Sequence, residues 1–385
     1  MPQPSDSKIE AFIQDLSSPV CDALVVFEHD ALVVDWRSPR APDLFDLRSV
    51  TKSVISVLLG RLEYAGLLSD ADLLLGDIFD EWKQTTKAGI TLRQLMAQTT
   101  GLDATAHSET VFASGDVVGF ALDLDLVEEP GQRFAYNNAA TNLLPEFVRR
   151  VTGAPFLDVV RELLFDPLEI SDWDWKSDLA GNPLGMSGCR LSPRALADIG
   201  RLINGDGHWH GQRLLAADWR ARSTTPIPPA AADDPHRTRL DYGLLWWLLY
   251  PADERFAIDE EVVGAWKSAD PPLDEAVLER MSGLMGSGYS VEELLAAATD
   301  ALLPLSSSGR EGAIELWHDN TWRRGLPDAR RAAGSAIGFY AEGDGGQMLV
   351  CRPGSGQVIV QLVGDEAAPA SAQALSQAVA GLFSG

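Results

Sequence analysis

Arg48-Ser49-Val50-Thr51-Lys52-Ser53-Val54-Ile55-Ser56-Val57-Leu58-Leu59-Gly60 places a hydroxyl and an amine three residues apart at the head of an apolar run. Residues i and i+3 of a helix share a face, so the Lys52 stem can lie alongside the Ser49 hydroxyl. Val50, Val54, Ile55, Val57, Leu58, Leu59 and Leu62 cover most of the helix circumference, the mark of a helix buried on all sides, and Gly66 offers it a stop. A lysine at the mouth of such a helix loses hydration and feels the positive end of the helix dipole, and both lower its pKa. Neutral, it can take a serine proton.

The same spacing also fits a capped core helix with no chemistry. Ser-x-x-Lys occurs once more, at Ser5 and Lys8, in a polar tail with no core to hold it. Of 31 basic residues only Lys8, Lys52, Lys83, Lys87, Lys176 and Lys267 are lysines, so arginine supplies plain charge nearly everywhere. Arginine cannot deprotonate, which makes a lysine at this position informative.

With 385 residues, 45% hydrophobic content and 11 tryptophans, the chain can bury a large core and is expected to divide into two lobes. The net charge of −25 argues against a nucleic-acid partner and favours a neutral or cationic substrate, although solubility alone accounts for such a charge. Met1 to Glu10 lacks a basic region followed by a long apolar run, and no later segment reaches bilayer length, so a cytoplasmic protein without membrane partners is expected. Cys21, Cys189 and Cys351 stand far apart, without zinc or disulfide spacing, and are expected to be free buried thiols.

Residues 21 to 36 form two β-rich runs around Glu28-His29-Asp30, a hairpin. From about Leu68 to Trp219 the pattern is mostly helical, with Thr91 to Met96 and Asn142 to Val148 as examples. Within it, Pro130-Gly131 sets a turn before Tyr136-Asn137-Asn138. Alternate residues of an extended segment point the same way, so the Tyr136 phenol and the Asn138 amide would enter one cleft; a buried tyrosine with a turn asparagine is the other reading. Tyr242–Leu248, Ala336–Tyr340, Gln347–Cys351 and Val358–Val363 read as strands, the last three a meander closed by a helical tail over Ser371–Phe383. Strands at both ends imply a sheet lobe built from residues 1–67 and 236–385, with a helical lobe at 68–235. A helical insertion occupies about 252–335, with Asp274–Met285 one helix and Ser290-Val291-Glu292-Glu293 a capping box for Leu294–Leu303. Segments that long tend to be lids, binding elements or interfaces.

Ser49-x-x-Lys52, Tyr136-x-Asn138, the glycine-rich Glu342-Gly343-Asp344-Gly345-Gly346-Gln347 and the meander stand in one order. In that order the chain resembles the serine hydrolases of the β-lactamase and penicillin-binding-protein superfamily, in the class C β-lactamase-related branch with esterases and 6-aminohexanoate-dimer hydrolases. The likeness extends to Leu95–Leu102, Gly188–Pro193 and Gly211–Leu215 and covers most of the chain except about 252–335.

The resemblance implies an α+β, β-lactamase/transpeptidase-like fold, a five-stranded antiparallel sheet flanked by helices beside an all-helical lobe. It implies that Ser49 attacks a carbonyl, that Lys52 and Tyr136 share the proton work, and that Asn138 orients the lysine and the substrate. The oxyanion hole would be the backbone N–H groups of Ser49 and Asp344. No cofactor or metal is implied.

The third motif departs from the family pattern. Lys-Thr-Gly or His-x-Gly is replaced by Ala341-Glu342-Gly343, and no frame across the neighbouring glycines supplies a base. Glu342 and Asp344 suit a carboxylate anchor poorly, so ester or amide cleavage ranks above β-lactamase or D-amino-acid peptidase activity. A catalytically silent binding protein, with the insertion as a homo-oligomer or partner surface, is the third reading. His208-Trp209-His210 has metal-ligand spacing but lies in a turn, and Gly345-Gly346 lacks the helix of a phosphate loop. Of Trp246 and Trp247, adjacent on a strand, one is expected to face the core and the other the cleft.

Overall fold

A computed structural model describes residues 21–227, 242–250, 255–321, 326–333 and 336–364; the tail expected as a helix over Ser371–Phe383 lies outside them. The hairpin forms as β1 (Ala23–Glu28) and β2 (Ala31–Arg37), with His29 at a positive φ of 46° in the turn. Four later strands join it: β3 (Trp247–Leu249), β4 (Gly338–Gly343), β5 (Gln347–Arg352) and β6 (Gln357–Leu362). The sheet order is β2-β1-β6-β5-β4-β3, antiparallel throughout. The two ends of the chain therefore meet mid-sheet, where Val25 of β1 lies opposite Val360 of β6. The six strands read from the sequence all form, one more than the five that the resemblance implies, with β3 at the edge.

β3 is shorter than the strand expected over Tyr242–Leu248. Leu245 takes a φ of +66°, and the carbonyls of Leu244 and Leu245 bend down to accept the Ser56 and Ser53 hydroxyls at 2.8 and 2.6 Å. A helix buried on every side must satisfy its own polar groups, and this backbone supplies the acceptors.

That helix is α1 (Val50–Tyr64), and every residue from Val50 to Leu62 is buried. Its apolar side chains each contribute roughly 1.5–3 kcal/mol on leaving water. It stops where sequence indicates: Gly66 takes a φ of +71°, and Leu67 N–H returns to the Leu62 carbonyl at 2.9 Å. Gly60 is needed for packing, since a Cβ there would meet the Trp219 indole at 2.7 Å.

α1 and α2 (Pro193–Asn204) lie on one face of the sheet, against Val25, Phe339, Ala341, Leu349 and Val360. The same apolar cluster continues without a break into the helical segments, through Leu92, Phe147 and Leu164. The opposite sheet face carries Leu24, Val26, Met348, Val350 and Ile359. Cys21, Cys189 and Cys351 are free and buried; burial pushes the Cys21 thiol up to about 12 and raises the other two as well.

Residues 255–333 fold around a separate core. Strands Arg255–Ile258, Gly286–Tyr289 and Arg330–Ala333 make a three-stranded sheet, covered by helices Glu260–Lys267, Glu275–Ser282, Val291–Leu302 and Gly309–Asn320. Trp266, Met281, Leu302 and Trp317 fill the centre. The capping box at Ser290 and Glu293 forms as read, and the helix expected over Asp274–Met285 is capped by Asp274 and ends at Ser282. The sequence pattern showed two of these helices but not those at Glu260–Lys267 and Gly309–Asn320, nor the small sheet that joins them.

Candidate active site

The loop that carries Ser49 is anchored before the helix begins. Phe45–Asp46 pairs with Cys189–Leu191, which pairs with Trp173–Trp175, and Leu47 N–H donates to the Cys189 carbonyl at 2.9 Å. Arg48 turns the chain with a φ of +51°, its N–H donating to Asp46 Oδ1 at 3.0 Å. The Lys176 ammonium, 2.7 Å from Asp46 Oδ2, helps hold that carboxyl below the usual range against the opposing effect of burial. Ser49 occupies the N-cap of α1, yet its hydroxyl makes no capping hydrogen bond. It is left to Lys52.

Lys52 Nζ lies 3.0 Å from Ser49 Oγ and donates to the Met186 carbonyl at 2.7 Å. The side chain is 1% exposed. Burial pushes its pKa down to about 7, with no carboxylate close enough to oppose the shift. At neutral pH a large share of the lysine is therefore uncharged, with a lone pair available to the serine proton.

Tyr136 joins the pair from the other side. Its hydroxyl interacts with Ser49, and Lys52 Nζ stands 5.1 Å from its ring centroid. Burial raises the phenol's pKa; the contact with Ser49 pulls it down and the Glu342 charge pushes it up. Gln98, buried at a φ of +60°, fixes the segment: its carbonyl accepts from Ala135 N–H at 2.8 Å and its Oε1 from Asn137 N–H at 2.6 Å. Of the adjacent tryptophans, Trp246 faces the core with its indole N–H on Ser56 Oγ at 3.2 Å, and Trp247 stacks on Tyr136 at 6.1 Å.

Asn138 departs from expectation. Tyr136-x-Asn138 is not extended to its end: Asn137 caps a short helix, Asn138–Thr141, and Asn138 is its first residue. The Asn138 amide donates to Ser108 Oγ at 3.2 Å, and its Oδ1 is buried without a partner among the described residues. The lysine-orienting contact assigned to it is made instead by the Met186 carbonyl. Asn142 holds that carbonyl in place. Fully buried, it accepts the Gly185 and Met186 N–H groups at 2.9 and 3.1 Å and donates to the Asn138 carbonyl at 3.3 Å. The loop sits so close that a Cβ on Gly185 would meet the Thr141 carbonyl oxygen at 2.1 Å. Asn142 lies four residues, one helical turn, beyond Asn138; its polar side chain amid Leu143, Leu144 and Phe147 was the available signal.

The third motif comes to the same place through Gly343. A Cβ there would meet the Leu47 carbonyl oxygen at 2.6 Å, so β4 reaches the loop that carries Ser49 only with glycine at this position. Glu342 is half-buried and Asp344 exposed in the turn that follows. His208 lies in a strand of a small hairpin and His210 in its turn, where His208–Trp209 pairs with Gln212–Arg213.

No helix among the described residues is long and apolar enough to cross a membrane. Solved structures with this fold include a protein described as a 6-aminohexanoate-dimer hydrolase from Bacillus anthracis, 15% identical, TM-score 0.62, covering 97% of this chain and 80% of that one. A penicillin-binding-protein homologue from Caulobacter crescentus is 14% identical, TM-score 0.59, over 95% and 94% of the two chains. The D-alanine carboxypeptidase AmpC from Burkholderia cenocepacia is 16% identical, TM-score 0.54, over 98% and 97%. The family model named Beta-lactamase matches residues 9–380, nearly the whole chain, and on that match the protein belongs to the beta-lactamase family.

Proposed function

We propose that the protein is a serine hydrolase that cleaves an ester or amide bond of a small molecule through an acyl-Ser49 intermediate. The observation that carries this reading is the 3.0 Å contact between Ser49 Oγ and a buried Lys52 whose pKa lies near 7. A base with a pKa at the working pH combines a useful neutral fraction with proton-transfer driving force.

In this mechanism Lys52 takes the Ser49 proton as Oγ attacks the carbonyl carbon. Tyr136, in contact with Ser49, passes the proton to the leaving group as the tetrahedral intermediate collapses. Water then enters by the reverse relay and releases the acid. The oxyanion is assigned to the backbone N–H groups of Ser49 and Asp344, neither of which donates to an acceptor among the described residues. The contact of Gly343 with the Leu47 carbonyl supports this pairing, because it sets the end of β4 beside the start of α1.

Glu342 disfavours a substrate carboxylate, which places lactams and D-amino-acid peptides below neutral or cationic esters and amides. A fluorophosphonate probe followed by peptide mapping tests the nucleophile: label is expected on Ser49, and Ser49→Ala should lose about 10³-fold or more in p-nitrophenyl ester turnover. Wild-type turnover in Ser49→Ala, or label elsewhere, would overturn the reading. Nitrocefin cleaved as fast as the best ester would move the assignment to the lactamase branch.

A further inference from the structure

Among the described residues, Glu342 is an acidic group that the proton relay does not use and that still touches it electrostatically, through Tyr136. It is half-buried, and desolvation raises its carboxyl pKa, with no hydrogen bond or cation among the described residues acting against it. A carboxylate withdrawn from water is normally paired with a cation or a set of N–H donors, because the unpaired charge is costly. The neighbouring cations are otherwise engaged. Arg48 acts on Asp46, and Lys52 donates to Ser49 and Met186.

A run of aromatic rings leads from the nucleophile to the strand that carries Glu342. Tyr136, in contact with Ser49, stacks on Trp247 with rings 6.1 Å apart and 16° from parallel. Trp247 stacks in turn on Tyr340 at 6.4 Å and 22°, and the two are register partners across β3 and β4. Tyr242 meets Trp247 edge-on at 4.6 Å. Tyr340 and Glu342 are two apart on β4 and so share a face of the sheet. Aromatic faces are electron-rich and weakly hydrated, and beside a lone carboxylate they favour an alkylammonium over a hydrated metal ion or a neutral group. The chain's net charge of −25 adds a long-range attraction of the same sign.

We propose that Glu342 and the Tyr136–Trp247–Tyr340 stack form a subsite for a cationic substituent, so that the enzyme selects esters or amides bearing an alkylammonium group over neutral isosteres. The proposal rests on the Ser49 reading and adds the substrate class to it. Two substrate pairs of matched shape test it. Acetylthiocholine against 3,3-dimethylbutyl thioacetate places the charge on the leaving group; p-nitrophenyl 4-(trimethylammonio)butanoate against p-nitrophenyl 5,5-dimethylhexanoate places it on the acyl group.

The readout is the cation-to-neutral ratio of kcat/KM within a pair. In the wild type one pair should show a ratio of roughly ten, the scale of a desolvated cation contact. In Glu342→Gln that ratio should fall close to one, and in Glu342→Lys below one. A ratio is insensitive to how much of a variant folds, so partial loss of protein does not mimic the effect. Ratios near one for both wild-type pairs, or a preference that survives in Glu342→Gln, overturn the subsite. Ser49 labelling and cleavage of the neutral esters report on the hydrolase reading separately, so that reading can stand while the subsite falls.

Discussion

The head of α1 and the segment 255–333 solve the same problem, burying polar groups in an apolar setting, in opposite ways. At the head of α1 a lysine is buried with a serine hydroxyl, a phenol and one carbonyl as its company, and its charge is destabilised. In 255–333 Trp266 and Thr321 end in ordinary pairs, although Ser282 Oγ is buried without a hydrogen-bond partner among the described residues. Trp266 donates its indole N–H to the Pro327 carbonyl at 2.6 Å, and Thr321 donates to the Trp317 carbonyl at 2.7 Å. One region stores an unfavourable ionisation; the other shows no buried group of that kind among its described residues. Perturbed ionisation, more than burial, separates a site from a core.

Lys52→Met should break the comparison most sharply. It keeps the length and apolar stem and removes the base, and it should lower kcat by about 10²–10⁴-fold. In the wild type, kcat should rise with pH through about 7 as the lysine loses its proton. Stability should also rise with pH, over a higher window. An unfolded lysine holds its proton up to roughly pH 10.4, whereas the folded one releases it near 7. Unfolding therefore takes up a proton between those values, and wild-type stability rises with pH across that window. Lys52→Met removes the penalty, so its Tm should exceed that of the wild type at pH 6, with the gain fading toward pH 10. A lower Tm at pH 6 would mean the lysine is not destabilised.

Asn142→Leu should have the next largest effect. Releasing the Met186 carbonyl lets Lys52 leave its alignment, and kcat should drop about ten- to a hundredfold with KM little changed. Because a carbonyl acceptor favours the ammonium form, the acid limb of the pH profile should move down. An unchanged limb with a general loss of folded protein would reduce Asn142 to a packing role. The smallest effect is expected from Trp266→Ala. It should destabilise 255–333 by about 3–5 kcal/mol and change ester turnover by less than roughly threefold, as the site draws no residue from that core. A loss on the scale of Lys52→Met would show that the segment closes over the site.

Much of the site was legible because helical spacing fixes geometry locally. Ser49 and Lys52 are on one face wherever α1 goes, and buried Val and Leu on its other faces dictate the desolvation that tunes the lysine. The strand pairing was legible too, from alternating apolar runs at both ends. Asn138 was misread because a two-residue alternation assumes extended backbone, and Asn137 caps a helix at that point. The Met186 contact was not legible, since a backbone carbonyl carries no sequence signature and its bond from Lys52 spans 134 residues; Asn142 left only the weak signal of an amide amid apolar residues. β3 was read too long because the demand of the Ser53 and Ser56 hydroxyls for acceptors comes from a helix nearly 200 residues away.

The three buried thiols give the molecule an internal clock for unfolding. Protonated and shielded, they resist alkylation in the native state, so the rate at which iodoacetamide consumes them measures opening of the fold around them. Cys21 and Cys351 report on the sheet and Cys189 on the strand behind the nucleophile loop, whereas 255–333 contains no cysteine at all. Trp266 and Trp317 give that segment an indole signal once the tryptophans outside it are replaced by phenylalanine. Followed together, thiol and indole signals separate opening of the catalytic body from opening of the segment inserted into it.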